Sequence, residues 1–217
     1  MILKNAFRAF VEQSAEKDRA YHTLGPEGTS SRQAADVLAS RFPARIELFA
    51  TYEAAAATID DDPANRALIV ANAYSGINKF YISHDLIPAA AFFNDTPPYV
   101  IAARSLDVFE RGSITVASHP APRHLIETTL SHPSIEVLET DSTHRAAELV
   151  ANDRADACLT TQIAADMMGL KLMATACTAI PMLWTIFINK DHETWKKKAL
   201  LSYRKSFPSD SKPTLRL

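Results

Sequence analysis

Apolar positions near the start of the chain recur at helical spacing. Leu3, Ala6, Phe7, Phe10 and Val11 fall on one side, with charged residues on the other, and this predicts a short amphipathic helix over residues 3–18. Strand-like and helix-like runs then alternate. Ala20-Tyr21-His22-Thr23-Leu24 predicts a strand, broken by Gly25-Pro26-Glu27-Gly28. Thr29, Ser30 and Ser31 offer N-caps for a helix through about Arg41. Arg45 to Phe49 reads as a strand, Tyr52 to Ile59 as a helix and Asp60 to Pro63 as a turn. Ala67 to Ala71 is a buried strand that ends on polar Asn72. Such alternation argues for an α/β protein with a largely parallel sheet.

A break falls at Asp95-Thr96-Pro97-Pro98, where the chain is expected to change domain. Beyond it, Tyr99 to Ala103, Ile114 to Ser118, Glu136 to Leu138 and Ala155 to Thr160 predict strands. His124 to Leu130, a helix capped at Asp141-Ser142-Thr143 and running to Asn152, and Gln162 to Met168 lie between or after them. Pro181 to Asn189 is a last apolar strand. From Asp191 the character changes: seven basic residues face three acidic ones, a net +4 that leaves −6 on the rest. A helix from about Thr194 to Arg204 and a frayed end from Pro208 are expected there.

Composition narrows the class. The 217 residues are 47% hydrophobic and 22% charged, an ordinary globular balance. A net charge of −2 argues against nucleic acid as a partner. No apolar run approaches the roughly 18 residues of a membrane span, and the charged N-terminal segment is not a signal peptide. The expectation is a cytoplasmic protein with no membrane partner. Cys158 and Cys177 cannot build a disulfide framework and belong to no CxxC pair. With no HExxH or comparable cluster, no metal is expected.

Candidate chemistry sits at the strand ends. Leu24-Gly25-Pro26-Glu27-Gly28-Thr29-Ser30-Ser31 joins a strand to a helix through glycines, so Gly25, Thr29 and Ser30 could present N–H and O–H donors to a carboxylate or phosphate. A capped turn without a ligand explains the same residues equally well. Asn72 to Gly76 (with Ser75), Ser118-His119-Pro120 and Thr160-Thr161-Gln162 are three more polar strand ends. Open α/β sheets bind ligands at the carboxyl ends of their strands, so these would converge on one cleft. His119 is the best acid/base candidate, because imidazole titrates near neutrality, although a structural histidine fits as well. His84, His132, His144 and His192 stand in polar surroundings and are expected to be exposed; His22 is expected to be structural. GPEGTSS is neither a P-loop nor GxGxxG, which disfavours nucleotide chemistry, and no GxSxG elbow marks a nucleophilic triad.

Gly25-Pro26-Glu27-Gly28-Thr29-Ser30-Ser31, Ser118-His119-Pro120 and Gly169-Leu170 resemble motifs of prephenate dehydratase, in the expected order between Tyr21 and Asn189. Two departures matter. Ala73-Tyr74-Ser75 replaces a Glu-Asn-Ser segment, and Thr185-Ile186-Phe187 replaces a Thr-Arg-Phe signature. A short basic tail follows Asn189, so the phenylalanine-sensing domain of the dehydratases is not expected here. Val70 to Asn78, Asp95 to Tyr99, Val116 to Pro122, Leu159 to Ala165 and Pro181 to Phe187 are similar to the non-aromatising prephenate decarboxylases of bacilysin (anticapsin) and aeruginosin-type pathways.

That resemblance implies an α/β fold of two lobes, like a type II periplasmic-binding protein, with prephenate in the cleft. Residues 1–20 would form an N-terminal helix, 21–97 with 181–217 one lobe, and 98–180 the other. It implies a carbon–carbon lyase that makes a dihydro-4-hydroxyphenylpyruvate without a cofactor, for antibiotic or non-ribosomal peptide precursors. A prephenate dehydratase and a non-catalytic small-anion-binding module are the competing readings. Gly25, Thr29, Ser30, Asn72 and Ser75 would bind carboxylate or keto oxygens. Ser118, Thr160, Thr161 and Gln162 would line the other lobe, and Thr185 would lie beside the substrate with His119 as polar contact or proton donor. Arg104, Arg123 and Lys79 are candidates for the cation that meets the second carboxylate. Ile186 either withholds a proton from the leaving hydroxyl or points into a buried core. The N-terminal helix suggests a homodimer contact, with packing on its own lobe the equal alternative.

Overall fold

The computed structural model describes residues 2–3 and 5–190, and two mixed sheets organise them. The first contains β1 (Ile2–Leu3), β2 (Ala20–Leu24), β3 (Arg45–Phe49), β4 (Arg66–Ala71), β5 (Leu86–Phe93) and β11 (Leu183–Asn189), in the order β1-β5-β11-β4-β2-β3. The second contains β6 (Tyr99–Ala103), β7 (Ile114–Ser118), β8 (Ile135–Glu139), β9 (Ala157–Thr161) and β10 (Lys171–Cys177), ordered β10-β6-β9-β7-β8. The helices are α1 (Asn5–Gln13), α2 (Ser30–Arg41), α3 (Tyr52–Ala57), α4 (Asn78–Tyr81), α5 (His124–Thr129), α6 (Thr143–Ala151) and α7 (Gln162–Met167).

The expected largely parallel sheet is corrected. β2 pairs parallel with β3 and β4, and β7 with β8 and β9, but every other pairing among the described residues is antiparallel. The cause is the path between lobes. The chain leaves the first lobe after β5, enters the second as β6, and returns from β10 as β11. Each returning strand inserts antiparallel beside the parallel set, so both sheets show the same order of a parallel trio, a crossing strand and an antiparallel neighbour. The predicted helix over 3–18 shortens to α1, and the predicted helix and tail beyond Asp191 lie outside the described residues.

Local sequence explains where the helices begin. The helices that follow β2, β3, β8 and β9 each start on a hydroxyl. Thr29, Thr51, Ser142 and Thr161 accept the backbone N–H of Arg32, Ala54, Arg145 and Ala164, which satisfies a donor that the helix leaves free. One face of the first sheet packs Tyr21, Ile69, Ile186 and Ile188 against Phe7 and Phe10 of α1 and Leu38 of α2. Burying each phenylalanine fully is worth about 1.5–3 kcal/mol. The opposite face packs Leu68, Val70 and Phe187 against Tyr52, Ile59 and Phe80. The apolar side of α1 is therefore occupied within its own lobe. Buried Arg19 ties α1 down, donating to the carbonyls of Val11, Ser14 and Pro43 at 2.6–3.0 Å.

Ile186 lies wholly buried in that first core. Of the two readings open at this position, the structure supports the core one: alternation along β11 turns Ile186 toward α1 and α2.

Candidate active site

The carboxyl ends of β2, β4, β7 and β8 and the amino ends of β6 and β11 meet between the lobes. A cavity of about 150 Å³ lies there. Its walls are aromatic: Tyr52, Tyr74 and Trp184 from the first lobe and Tyr99 from the second. The first turn of α2, with Thr29, Ser30 and Ser31, also lines it, as do His119 and Asp141 to Thr143. Leu24, Asp141 and Ser142 also line a second, larger cavity of about 490 Å³, with Gly25, Phe49, His144 and Arg145.

The phenols are fixed and neutral. Tyr52 Oη lies 2.7 Å from Ser31 Oγ, and burial pushes its pKa up to about 12. Tyr74 donates to Glu53 Oε1 at 2.7 Å and is also raised to about 12, by desolvation first and by that carboxylate second. Burial raises Tyr99. Trp184 donates its indole N–H to the Asn94 carbonyl at 3.1 Å, which fixes the ring plane.

His119 is half-buried and lines the aromatic cavity. Its Nδ1 accepts the Ala121 N–H at 3.2 Å, so the neutral ring carries its proton on Nε2. Desolvation lowers its pKa, and Asp141 opposes this in part. At neutral pH His119 is therefore an uncharged donor rather than an imidazolium.

The other predicted residues divide. Thr29 and Ser30 line the aromatic cavity, with Thr29 Oγ1 donating to the Pro26 carbonyl at 3.0 Å. Gly25 lines the second cavity, but its N–H is committed to the Phe49 carbonyl at 2.8 Å. A Cβ there would come 2.9 Å from Leu48 Cβ. Gly28 holds φ +80°, and a Cβ on it would meet Met167 Sδ at 2.9 Å. The glycines of this turn thus admit β3 and the other lobe, not only a ligand. Thr161 closes the same contact: its buried hydroxyl donates to the Gly28 carbonyl at 2.9 Å across the lobes. Thr160 donates to the Thr143 carbonyl at 2.7 Å, and Ser118 to the His119 carbonyl at 2.9 Å.

Asn72, Thr185 and Tyr81 form a hydrogen-bonded network. Thr185 Oγ1 donates to Asn72 Oδ1 at 2.7 Å and lies 2.9 Å from Tyr81 Oη. Neither Asn72 nor Thr185 lines either cavity, and neither do exposed Ser75 and Gln162. Arg104 lies apart from both cavities. Because β6 runs antiparallel to β9, its carboxyl end lies at the far edge of the second lobe, where Arg104 pairs with Asp153. The exposure expected of His144 is corrected. It is 5% exposed, not solvent-facing, because it shares the inner face of α6 with Ala147. Sequence reasoning missed Arg145 beside it; the cap at Ser142 had already marked the helix start that carries it.

Two lobes joined by two crossings around a ligand-sized cleft define the type II periplasmic-binding-protein-like class. Solved structures agree on the fold. A prephenate dehydratase from Arthrobacter aurescens, in complex with L-Phe, superposes with a TM-score of 0.63 at 15% identity, over 78% of this chain and 60% of its own. The periplasmic VFT2 domain of Bordetella pertussis BvgS gives 0.51 at 17% identity, over 92% and 94%. No protein-family model matches the chain. Relatives in sequence go further. The prephenate decarboxylase of Bacillus subtilis (strain 168) is 33% identical over 76% of this chain and 84% of its own length. That of Planktothrix agardhii (strain NIVA-CYA 126/8) is 32% identical over 87% and 97%. The chain belongs to the prephenate decarboxylase family, a family of carbon–carbon lyases.

Proposed function

We propose that the protein decarboxylates prephenate without aromatising it, in the cavity between the lobes. The observation that carries this reading is the aromatic cavity itself, found in a chain of this family. Prephenate bears a ring carboxylate, a pyruvyl side chain and a 4-hydroxyl on a cyclohexadiene. When the C–C bond to carbon dioxide breaks, its electron pair moves toward one ring alkene, whose far carbon takes a proton. The ring itself accepts the electrons, so no cofactor sink is required. The 4-hydroxyl must stay, and its departure as hydroxide would need positive charge or a strong acid nearby.

The cavity suits those demands. Tyr52, Tyr74, Tyr99 and Trp184 offer flat, largely apolar walls to the ring, and a water-poor surrounding favours loss of a charged carboxylate as neutral carbon dioxide. No lysine or arginine lines it among the described residues. His119, held neutral, offers an Nε2–H to a substrate oxygen. Ser30 presents a hydroxyl at the start of α2, and Thr29 lines the wall beside it with its own hydroxyl committed to the Pro26 carbonyl and the Arg32 N–H. Incubating purified protein with prephenate and weighing the product tests this. Loss of carbon dioxide alone is expected; loss of carbon dioxide and water together would mean a dehydratase.

From the resemblance in sequence we further propose a cytoplasmic role in antibiotic or non-ribosomal peptide precursor biosynthesis. A homodimer is the remaining proposal, and it must use a surface other than the apolar side of α1. Sedimentation at micromolar concentration distinguishes dimer from monomer.

A further inference from the structure

The proposed substrate carries two carboxylates with opposite fates. One leaves as carbon dioxide; the other, on the pyruvyl arm, survives into the product. A cation held on the departing carboxylate would stabilise the ground state and slow the reaction. A cation on the surviving one contributes binding without that cost. The cleft contains one strong cation among its described lining residues, Arg145, and it lines the larger cavity and not the aromatic one. Lys79 pairs with Glu53 and Arg123 with Glu139, and neither lines either cavity.

We propose that Arg145 receives the carboxylate of the pyruvyl side chain in the larger cavity, leaving the ring carboxylate among the aromatic walls. This rests on the reading of the protein as acting on prephenate. Leu24, Asp141 and Ser142 line both cavities, which therefore adjoin. The resting partner of Arg145 is Glu148, whose Oε2 lies 2.8 Å from Nη1, while Oε1 lies 3.5 Å from His144 Nε2. His144 lines the same cavity, is 5% exposed, and its buried Nδ1 has no hydrogen-bond partner. Of the other carboxylates on this cavity, Glu27 is taken by Arg32, and Asp141 repels an anion from the shared wall. Glu148 therefore competes with the substrate for Arg145 and sets how tightly the arm is held.

Phenylpyruvate is the probe, because it carries the pyruvyl carboxylate and no ring carboxylate. Calorimetric titration should show binding to the wild-type protein and a loss of about ten- to a hundredfold in Arg145→Gln, the range for a charged hydrogen bond. Arg145→Lys should recover part of that loss, Glu148→Gln should bind more tightly than wild type, and Arg123→Gln should bind as wild type. Melting curves confirm that each variant is folded. Wild-type affinity in Arg145→Gln, no binding by the wild-type protein, or an equal loss in Arg123→Gln would overturn the assignment. A protein that binds phenylpyruvate through Arg145 yet leaves prephenate intact refutes the decarboxylase reading instead, so the two failures are distinct.

Discussion

Thr161→Val is the most informative single change, because the hydroxyl it removes serves two partners in two lobes. Oγ1 donates to the Gly28 carbonyl at 2.9 Å and accepts the Ala164 N–H at 3.2 Å. Valine preserves the shape and removes both interactions. Loss of a hydroxyl cap costs about 1 kcal/mol, and a buried carbonyl left without its donor costs about 2 kcal/mol. The expected destabilisation is thus about 3 kcal/mol, or roughly 6–12 °C in Tm for a chain of this size. Differential scanning calorimetry reads it directly, and Thr161→Ser, which retains the hydroxyl, should restore most of it. If Thr161 were instead a substrate ligand, KM for prephenate would rise while the melting curve stayed in place. A Thr161→Val protein that melts within about 2 °C of wild type would refute the lobe-locking role.

Three further outcomes follow from the same structure. The lowered pKa of His119 means that its neutral form is kept above pH 6.5 and lost as pH falls through the depressed value; kcat/KM should drop on that acid limb, and His119→Gln should abolish the limb as well as lower the rate. Ile186→Arg places a charge in the core between β11 and the helices α1 and α2, an uncompensated burial that costs several kcal/mol; a large fall in Tm or insoluble protein is expected, and a folded variant that makes phenylpyruvate would contradict this. Because the ring diene takes the electrons, dialysis against EDTA should leave turnover intact, and activity restored only by added metal would contradict that mechanism.

Much of the fold was legible because the parallel trios obey simple patterns. β4, β7 and β9 are short apolar runs that end on or just before polar residues, and β2, β3, β8 and β9 run into hydroxyl-capped helices. The strands that escaped notice break those patterns. β5 is alanine-rich and carries Pro88, and β10 is an edge strand whose Lys171, Leu172 and Met173 all face solvent. Strand sense was equally hidden, and with it the side of the lobe on which Arg104 emerges.

The site was legible in part. The turn at Gly25 to Ser31 and His119 lie in the cleft, as the strand-end rule implies. Yet most hydroxyls at those ends, such as those of Ser118, Thr160 and Thr161, are consumed by backbone carbonyls. A sequence records that a hydroxyl is present, not which partner it has. The aromatic walls come from Tyr52, Tyr74, Tyr99 and Trp184, on four separate elements, and no local pattern joins them. His144 and Arg145 stood among polar neighbours that mask a helix start packed into the cleft.

The central claim is that carbon dioxide leaves, the ring takes one proton and the hydroxyl stays. Running the reaction with prephenate in D₂O and following it by NMR tests all three at once. The account predicts a non-aromatic product that keeps its carbinol proton and gains one deuteron at the far carbon of the former alkene. Phenylpyruvate forming faster than the spontaneous background would contradict it.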